Sequence, residues 1–269
     1  MPELPEIECL RSRLANQFRG QRIDGITVHC PSLRQGITAK TFVSTSGLIL
    51  KDVLRRGKFL ILQLSDETCL LLHCGMSGRL VSRHLSKPHD LFSIVFSDNT
   101  RLMYNDFRRF GRVWRVRAPD ILDHPALRSL GPEPLSRRFN QECLDYSSKR
   151  AVKTVLLDQQ VVAGLGNIYS CESLYHARIR PDRRWDSLST EELLHLVKAI
   201  RSTLRSAIKH GGSTLEDYRD TEGEAGNYDS KFAVFNHEGL RCPKCECDAG
   251  VVRIKQAGRS TFFCPSKQK

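Results

Sequence analysis

The chain has no apolar run long enough to span a bilayer, which excludes a helical membrane anchor. Its opening, Met1-Pro2-Glu3-Leu4-Pro5-Glu6, has no basic leader and no apolar stretch behind it. It does not read as a secretory signal, and the protein is expected in the cytoplasm. There is no internal repeat and no low-complexity tract. Acidic residues are in deficit: 30 Asp and Glu stand against 42 Lys and Arg, a formal charge of +12. That imbalance favours a polyanionic partner, nucleic acid before an anionic membrane surface. In a reducing compartment the ten cysteines are not expected to form disulfides. Cys9, Cys30, Cys69, Cys74, Cys143 and Cys171 are scattered and read as small buried hydrophobes. The other four crowd the C-terminus.

A chain of 269 residues holds one large domain or two modest ones. Ile7, Leu10, Leu14 and Phe18 recur at helical spacing, which predicts a helix from about Pro5 to Arg19, stopped by Gly20. From Ile23 to about Val116 the pattern changes to short β-like runs ("ITVHC", "TFVST", "FLILQL", "CLLLHC", "LFSIVF", "RVWRV") broken by glycine and Asp-Asn turns. Many short strands suggest a sandwich or barrel rather than βαβ units. "GPEPL" at 131–135 marks a border, beyond which the chain reads as helical: "RRFNQECLDYSSKR" leads into "AVKTVLLDQ", then "IYSCESLYHARI" and "STEELLHLVKAIRSTLRSAIKHGG". Ser189 or Thr190 caps the last of these, and Gly211-Gly212 ends it. "DYRDTEGEAGNYDSK" reads as a loop. The final segment has paired β-runs around a cysteine cluster.

Four places carry chemistry. Pro2 and Pro5 either start the first helix, where proline is tolerated, or Pro2, once its methionine is trimmed, offers a nucleophilic secondary amine. The turn "VVAGLGN" has Gly164, Gly166 and Asn167 ahead of a helix. Free N–H groups at a helix start suit a phosphate, and no neighbouring helix is rich in Arg, Asn and Gln for reading bases. The alternative is a simple packing turn. In "LMYNDFRRFGRVW", Asp106, Arg108, Arg109 and Phe110 share one connection. Arg108 and Phe110, two apart in an extended segment, would point the same way and suit insertion into a base stack, as would Met76 in its glycine-flanked turn. At the C-terminus, Cys242 and Cys245 are spaced as half a zinc knuckle, while the return half offers Cys264 but has Lys267 where a second cysteine would complete it. Cys247 is the spare thiol. The alternative is a hairpin folded on its own apolar residues. Residues 225–269 hold eight Lys and Arg against four Asp and Glu, and Arg253, Lys255 and Arg259 suit a phosphate backbone.

Taken in order, "MPELPEIE", "RRGKFLIL", "HCGMSGRL", "YNDFRRFG", "LGPEPL", "LLDQQVVAGLGNIYSCESLY", "GGSTLEDY" and "GRSTFFCP" resemble the bacterial formamidopyrimidine-DNA glycosylases, in the wider group with the endonuclease VIII-like enzymes, over nearly the whole chain. The resemblance implies an α+β architecture. An N-terminal helix and two-layer β-sandwich would occupy 1–132, a helix–two-turn–helix domain with a lesion-covering loop 133–225, and a zinc-finger-like β-hairpin 226–269. It implies a bifunctional glycosylase and abasic-site lyase that acts, as a monomer, on double-stranded DNA containing 8-oxoguanine, formamidopyrimidines or abasic nucleotides. The enzyme would be associated with the nucleoid when bound. Pro2 would attack C1′, Glu3 would move protons at the sugar, and Lys58 would clamp phosphate and donate a proton. Glu6, Met76, Arg108, Arg109, Phe110, Asn167 and Arg259 would serve DNA binding, with Met76, Arg108 and Phe110 filling the void left by the extruded base. One structural zinc would be held by Cys242, Cys245 and Cys264; with Lys267 at the family's fourth cysteine, the fourth partner is Cys247, the foremost protein candidate, a solvent molecule or nothing. Two departures stand out: Lys267 in place of the fourth cysteine, and Glu222 and Glu224 in the lesion-covering loop. The competing readings are an endonuclease VIII-like enzyme for oxidised pyrimidines, a lesion-binding protein without catalysis, and a zinc-finger regulator.

Overall fold

Ile7, Leu10, Leu14 and Phe18 are buried along one side of helix α1 (Leu4–Phe18), so the apolar period of the first segment becomes a packed face. The computed structural model describes residues 1–30, 42, 44–83, 87–213, 226–243, 245 and 250–269. It divides into two units, one formed by Met1–Arg128 with His210–Asn227, the other by Ser129–Lys209 with Tyr228–Lys269.

The first unit holds α1 and two antiparallel four-stranded sheets. One runs β1 (Ile23–Val28), β6 (Asp90–Phe96), β7 (Arg101–Asn105), β5 (Arg79–Ser82) in spatial order. The other runs β2 (Leu50–Arg56), β3 (Phe59–Leu64), β4 (Thr68–His73), β8 (Arg112–Arg117). Leu60, Leu62, Leu70 and Leu72 of one sheet join Phe92, Ile94, Phe96 and Tyr104 of the other and the apolar face of α1 in a single core. Phe18 stacks on Phe96 with ring centroids 4.4 Å apart. The open choice between sandwich and barrel is thus settled as a sandwich. In the run "TFVST", Thr41 and Val43 lie outside the described residues, while Phe42 sits in a 3-10 turn and Ser44 in a turn, so the expected strand is not formed at the described positions.

The second unit carries α2 (Val152–Leu156), α3 (Asn167–Ala177), α4 (Thr190–Lys209) and the hairpin β9 (Val252–Gln256) and β10 (Arg259–Phe263). Ser189 caps α4: its Oγ accepts from Glu192 N at 3.2 Å, and the Glu192 carboxylate takes Ser189 N at 2.8 Å. The β9–β10 connection is Ala257-Gly258, both at positive φ, the twist-matched two-residue turn that starts β10 at Arg259.

The segment before α2 departs from its helical expectation. Between residues 137 and 150 only a 3-10 turn forms, Gln141–Leu144. Asn140 takes Cys143 N at 3.2 Å and Ser148 Oγ takes Arg150 N at 3.2 Å. These local bonds compete with helix, and only Phe139 and Leu144 of the run are buried, too few for an apolar face.

Candidate functional site

Glu3 precedes α1 in extended conformation, and its N–H donates to Glu6 Oε2 at 2.8 Å. The second oxygen of Glu6 accepts from both the N–H and the hydroxyl of Ser213, at 2.8 and 3.0 Å. Glu6 is only 2 % exposed. Its carboxylate ties the residue after Pro2 to the backbone beyond α4. Pro2 itself is half-buried and Glu3 buried.

Lys58 sits in the β2–β3 turn and is 7 % exposed, an unusual burial for an ammonium. It faces His73 at the end of β4, whose Nδ1 accepts from Gly75 N at 3.1 Å. Burial first, then the charges of Lys58 and Arg112, push the His73 imidazole down from 6.5 to about 4. It is therefore neutral at pH 7. The unfolded chain takes up the proton below about 6.5 and the folded one only near 4. Stability is thus unaffected above that window and falls as pH drops through it, by at most about 1.4 kcal/mol per pH unit. His73→Gln should flatten this part of the profile in urea titrations between pH 4 and 7. An unchanged slope would show that His73 is not the titrating group.

Asp106, fully buried, joins two loops. Its Oδ1 accepts from Ser77 Oγ at 2.5 Å, its Oδ2 from Gly111 N at 2.7 Å, and Ser77 Oγ in turn accepts from Arg108 N at 3.2 Å. Met76, 41 % exposed, and the Arg108–Phe110 pair are thereby brought together. Arg108 and Phe110 do face the same way, but not by strand alternation. Arg109 adopts a left-handed φ of 57°, and in the resulting turn the Arg108 guanidinium lies 5.0 Å from the Phe110 ring centroid. Glycine is required where the loops meet: a Cβ at Gly75 would come within 2.6 Å of the Phe110 carbonyl carbon, and one at Gly111 within 1.7 Å of the Tyr104 hydroxyl.

In the second unit the "VVAGLGN" turn is organised by Gln159, which donates to Leu157 O and Leu165 O and accepts from Gly164 N at 2.9 Å. Asn167 opens α3 behind Gly166. Lys153, fully buried on α2, donates to Asn167 Oδ1 at 2.5 Å, and Asn167 Nδ2 donates to Ser260 O at 3.0 Å. Asn167 and the exposed Arg259 are thereby held in adjoining positions. Lys153 was not singled out from sequence. Its one signal is a lysine at an otherwise apolar helical position. Glu172 was missed for the same reason: buried on α3, it accepts from the N–H groups of Ala233, Val234 and Phe235.

Cys242, Cys245 and Cys264 place their sulfurs within 4.8 Å of one another. Cys245 and Cys264 are 3.8 Å apart, which matches the edge of a tetrahedron with bonds of about 2.3 Å, the zinc–thiolate length. The donor set and spacing therefore fit a structural zinc. Gln268 steadies Cys264 by accepting its N–H at 2.8 Å. Cys247 lies outside the described residues. Lys267 points to Tyr175: its Nζ donates to the phenol oxygen at 2.9 Å, and the phenol donates to Pro243 O at 2.6 Å. Burial, then a hydrogen bond with Cys242 and the charges of the three thiols, raises the Tyr175 hydroxyl above its usual range. No described helix is long and apolar enough to cross a membrane.

Residues 1–113 match the family model of the formamidopyrimidine-DNA glycosylase N-terminal domain, and residues 130–219 that of the formamidopyrimidine-DNA glycosylase H2TH domain. The chain is 38 % identical to the formamidopyrimidine-DNA glycosylase of Dinoroseobacter shibae and 40 % identical to that of Rhodopseudomonas palustris, each over the full length of both proteins. Among solved structures, the MutM (Fpg) protein of Thermus thermophilus aligns with a TM-score of 0.87 at 40 % identity, over 99 % of this chain and 98 % of that one. The Lactococcus lactis Fpg in complex with DNA containing an abasic site aligns with a TM-score of 0.89 at 32 % identity, over 99 % of both chains. A variant of the same protein with DNA containing Fapy-dG aligns with a TM-score of 0.89 at 32 % identity, over all of both.

Proposed function

The chain belongs to the formamidopyrimidine-DNA glycosylase family, and from that premise we infer that it is a bifunctional DNA glycosylase and abasic-site lyase that excises oxidised purines from double-stranded DNA. Its working place is the bacterial cytoplasm, at the nucleoid while bound.

The Pro2 amine, freed by removal of Met1, attacks C1′ of the damaged nucleoside and the base leaves. The resulting iminium draws electrons from the sugar, so that the 3′ and then the 5′ phosphate depart by β- and δ-elimination. Glu3 exchanges protons at the sugar oxygen. Glu6 acts by positioning: with one oxygen on Glu3 N and the other on Ser213, it fixes the peptide that carries the nucleophile. Lys58 contributes a cation and a proton beside the reacting phosphate, and the neutral His73 next to it does not compete for that proton. Asn167 and Arg259 hold phosphates around the extruded nucleotide, Arg259 through a planar fork that lysine does not reproduce. Met76, Arg108 and Phe110 enter the emptied duplex, and Arg109 lies on the same turn as a further DNA contact. The zinc site stiffens the hairpin that carries Arg259.

The observation that supports this reading most directly is the buried Glu3–Glu6–Ser213 lattice behind Pro2, a costly arrangement for a helix start that only needs a cap. Borohydride should trap the protein covalently on DNA containing an oxidised purine, with the adduct mapping to Pro2. An adduct on a lysine, with Pro2 free, would overturn the assignment of the nucleophile.

A further inference from the structure

We propose that the basic groove along α4, at the opposite end of α3 from Asn167, is a second nucleic-acid face, which takes the phosphate backbone of a duplex other than the one held at Asn167 and Arg259. The inference goes beyond the repair reaction and uses none of its residues.

The groove lies wholly within the second unit and encloses about 1770 Å³. Glu192, His195, Lys198, Ser202 and Ser206 recur every three or four residues and form one stripe along α4. At 1.5 Å per residue that stripe is about 21 Å long, enough to follow about six phosphates of one strand. Five cations line the groove: Lys198 on α4, Arg178 just beyond α3, Lys231, and Lys267 and Lys269 beyond β10. Among the described residues the side chains of Arg178, Lys198, Lys231 and Lys269 have no acidic partner, and Lys267 donates to the neutral Tyr175 oxygen. The one carboxylate side chain on the described lining, Glu192, is already taken by Arg183 at 2.5 and 3.2 Å. Lys269 is fixed through its backbone, its N–H on Arg178 O and its own O on Arg180 N. Like charges gathered without acids between them repel, and a bound polyanion would relieve that repulsion.

Hydroxyls add to the cations. Thr203 lines the groove at 2 % exposure, and its Oγ1 finds no hydrogen-bond partner among the described residues. Buried hydroxyls are normally paired, and a phosphate oxygen or its bridging water would supply the partner. Lysine, arginine and hydroxyl donors are the usual set for a phosphate backbone. An acidic peptide would need an apolar anchor as well. The apolar groups on the lining are two alanines, the buried Tyr228 and the Cys245 thiol, so the groove offers such an anchor no pocket.

The position sets this face apart from the first one. Asn167 opens α3, and its amide bonds Ser260 O, next to Arg259 at the start of β10. The groove begins at His176–Arg178, about 15 Å further along the same helix, and takes up the chain again only after β10 has ended. A protein with two such faces can grip a new duplex before it lets the old one go.

The test is a stopped-flow measurement on the full-length protein bound to a fluorescent duplex with a tetrahydrofuran abasic analogue, challenged with unlabelled undamaged duplex. The release rate should rise about fivefold with competitor concentration and lose that dependence in high salt. Combining Arg178→Gln, Lys198→Gln and Lys231→Gln should make release independent of competitor, while single-turnover excision stays as in the unmodified protein. The charge-keeping pair Lys198→Arg and Lys231→Arg should retain the dependence. A release rate that ignores competitor in the unmodified protein would overturn the proposal, as would an unchanged dependence in the glutamine variant. If the glutamine variant lost excision as well and the arginine pair kept it, the groove would belong to the first face and the proposal would fall. Equal acceleration by polyglutamate would overturn it in favour of an acidic protein partner. Acceleration by duplex in a protein that excises nothing would uphold the second face and overturn the repair reading alone.

Discussion

Glu172→Ala should destabilise the second unit by roughly 3–5 kcal/mol, the largest loss expected of any single change outside the hydrophobic core. Its carboxylate is fully buried on α3 and accepts three successive backbone N–H groups, from Ala233, Val234 and Phe235, at 2.8, 3.0 and 2.8 Å. Those residues are themselves buried, so water cannot replace the acceptor. Leaving each donor unpaired costs about 1–3 kcal/mol. Burial raises the Glu172 carboxyl above its ordinary range, and the three N–H groups pull it part of the way back. Glutamine is a poor rescue. Ala233 N uses one oxygen, Val234 N and Phe235 N the other, so an amide NH₂ must face a donor on one side or the other. Glu172→Gln should therefore resemble Glu172→Ala in urea titrations followed by the fluorescence of Trp185, which lies in the same unit. A loss below about 1 kcal/mol in Glu172→Ala would show that the N–H groups find other partners.

Asp106→Ala should slow excision about 10- to 100-fold from fully paired duplex while sparing a substrate whose lesion is already unpaired, because base flipping costs a few kcal/mol. The carboxylate binds Ser77 and Gly111, and through Ser77 the Arg108 backbone, so its removal separates Met76 from the Arg108–Phe110 pair. Single-turnover excision on the two substrates is the measurement. Equal losses would mean that the hub supports the whole unit and not the void-filling loops. Arg108→Ala adds a finer readout: the loss should be greatest opposite cytosine, whose orphaned edge the guanidinium can satisfy, and uniform if Arg108 only touches phosphate.

What was legible in the sequence was mostly periodic or local. The α1 face follows from four apolar residues, and the α4 start from Ser189 and Glu192, because capping is decided within three residues. The sandwich follows from short β-runs. Candidate site residues came from two sources: Pro2, Met76, Arg108, Phe110, Asn167 and the cysteines from local chemistry, and Glu3, Glu6 and Lys58 only from motifs in order along the chain. Single buried polar groups escaped. Lys153 and Glu172 sit within helices whose neighbours look apolar, and their partners lie 14 and more than 60 residues away, beyond any local pattern. The connection at 106–111 ended with the expected neighbours by an unexpected route, since a left-handed Arg109 is not foreseeable from residue type. The run 137–150 misled because composition allowed a helix whose apolar face does not exist.

The bond from Glu6 to Ser213 spans 207 residues, and the segment that supplies Ser213 belongs to the first unit although it follows the Ser129–Lys209 part of the second. During synthesis the amino terminus therefore leaves the ribosome long before its supporting lattice exists. At bacterial elongation rates of about 5–20 residues per second, the wait for Ser213 is about 10–40 s. The nascent chain would carry a nucleophilic amine that is not yet oriented, and a polypeptide broken off before residue 213 would never orient it. A strand-cutting activity thus becomes available only once most of the DNA-holding unit has been translated.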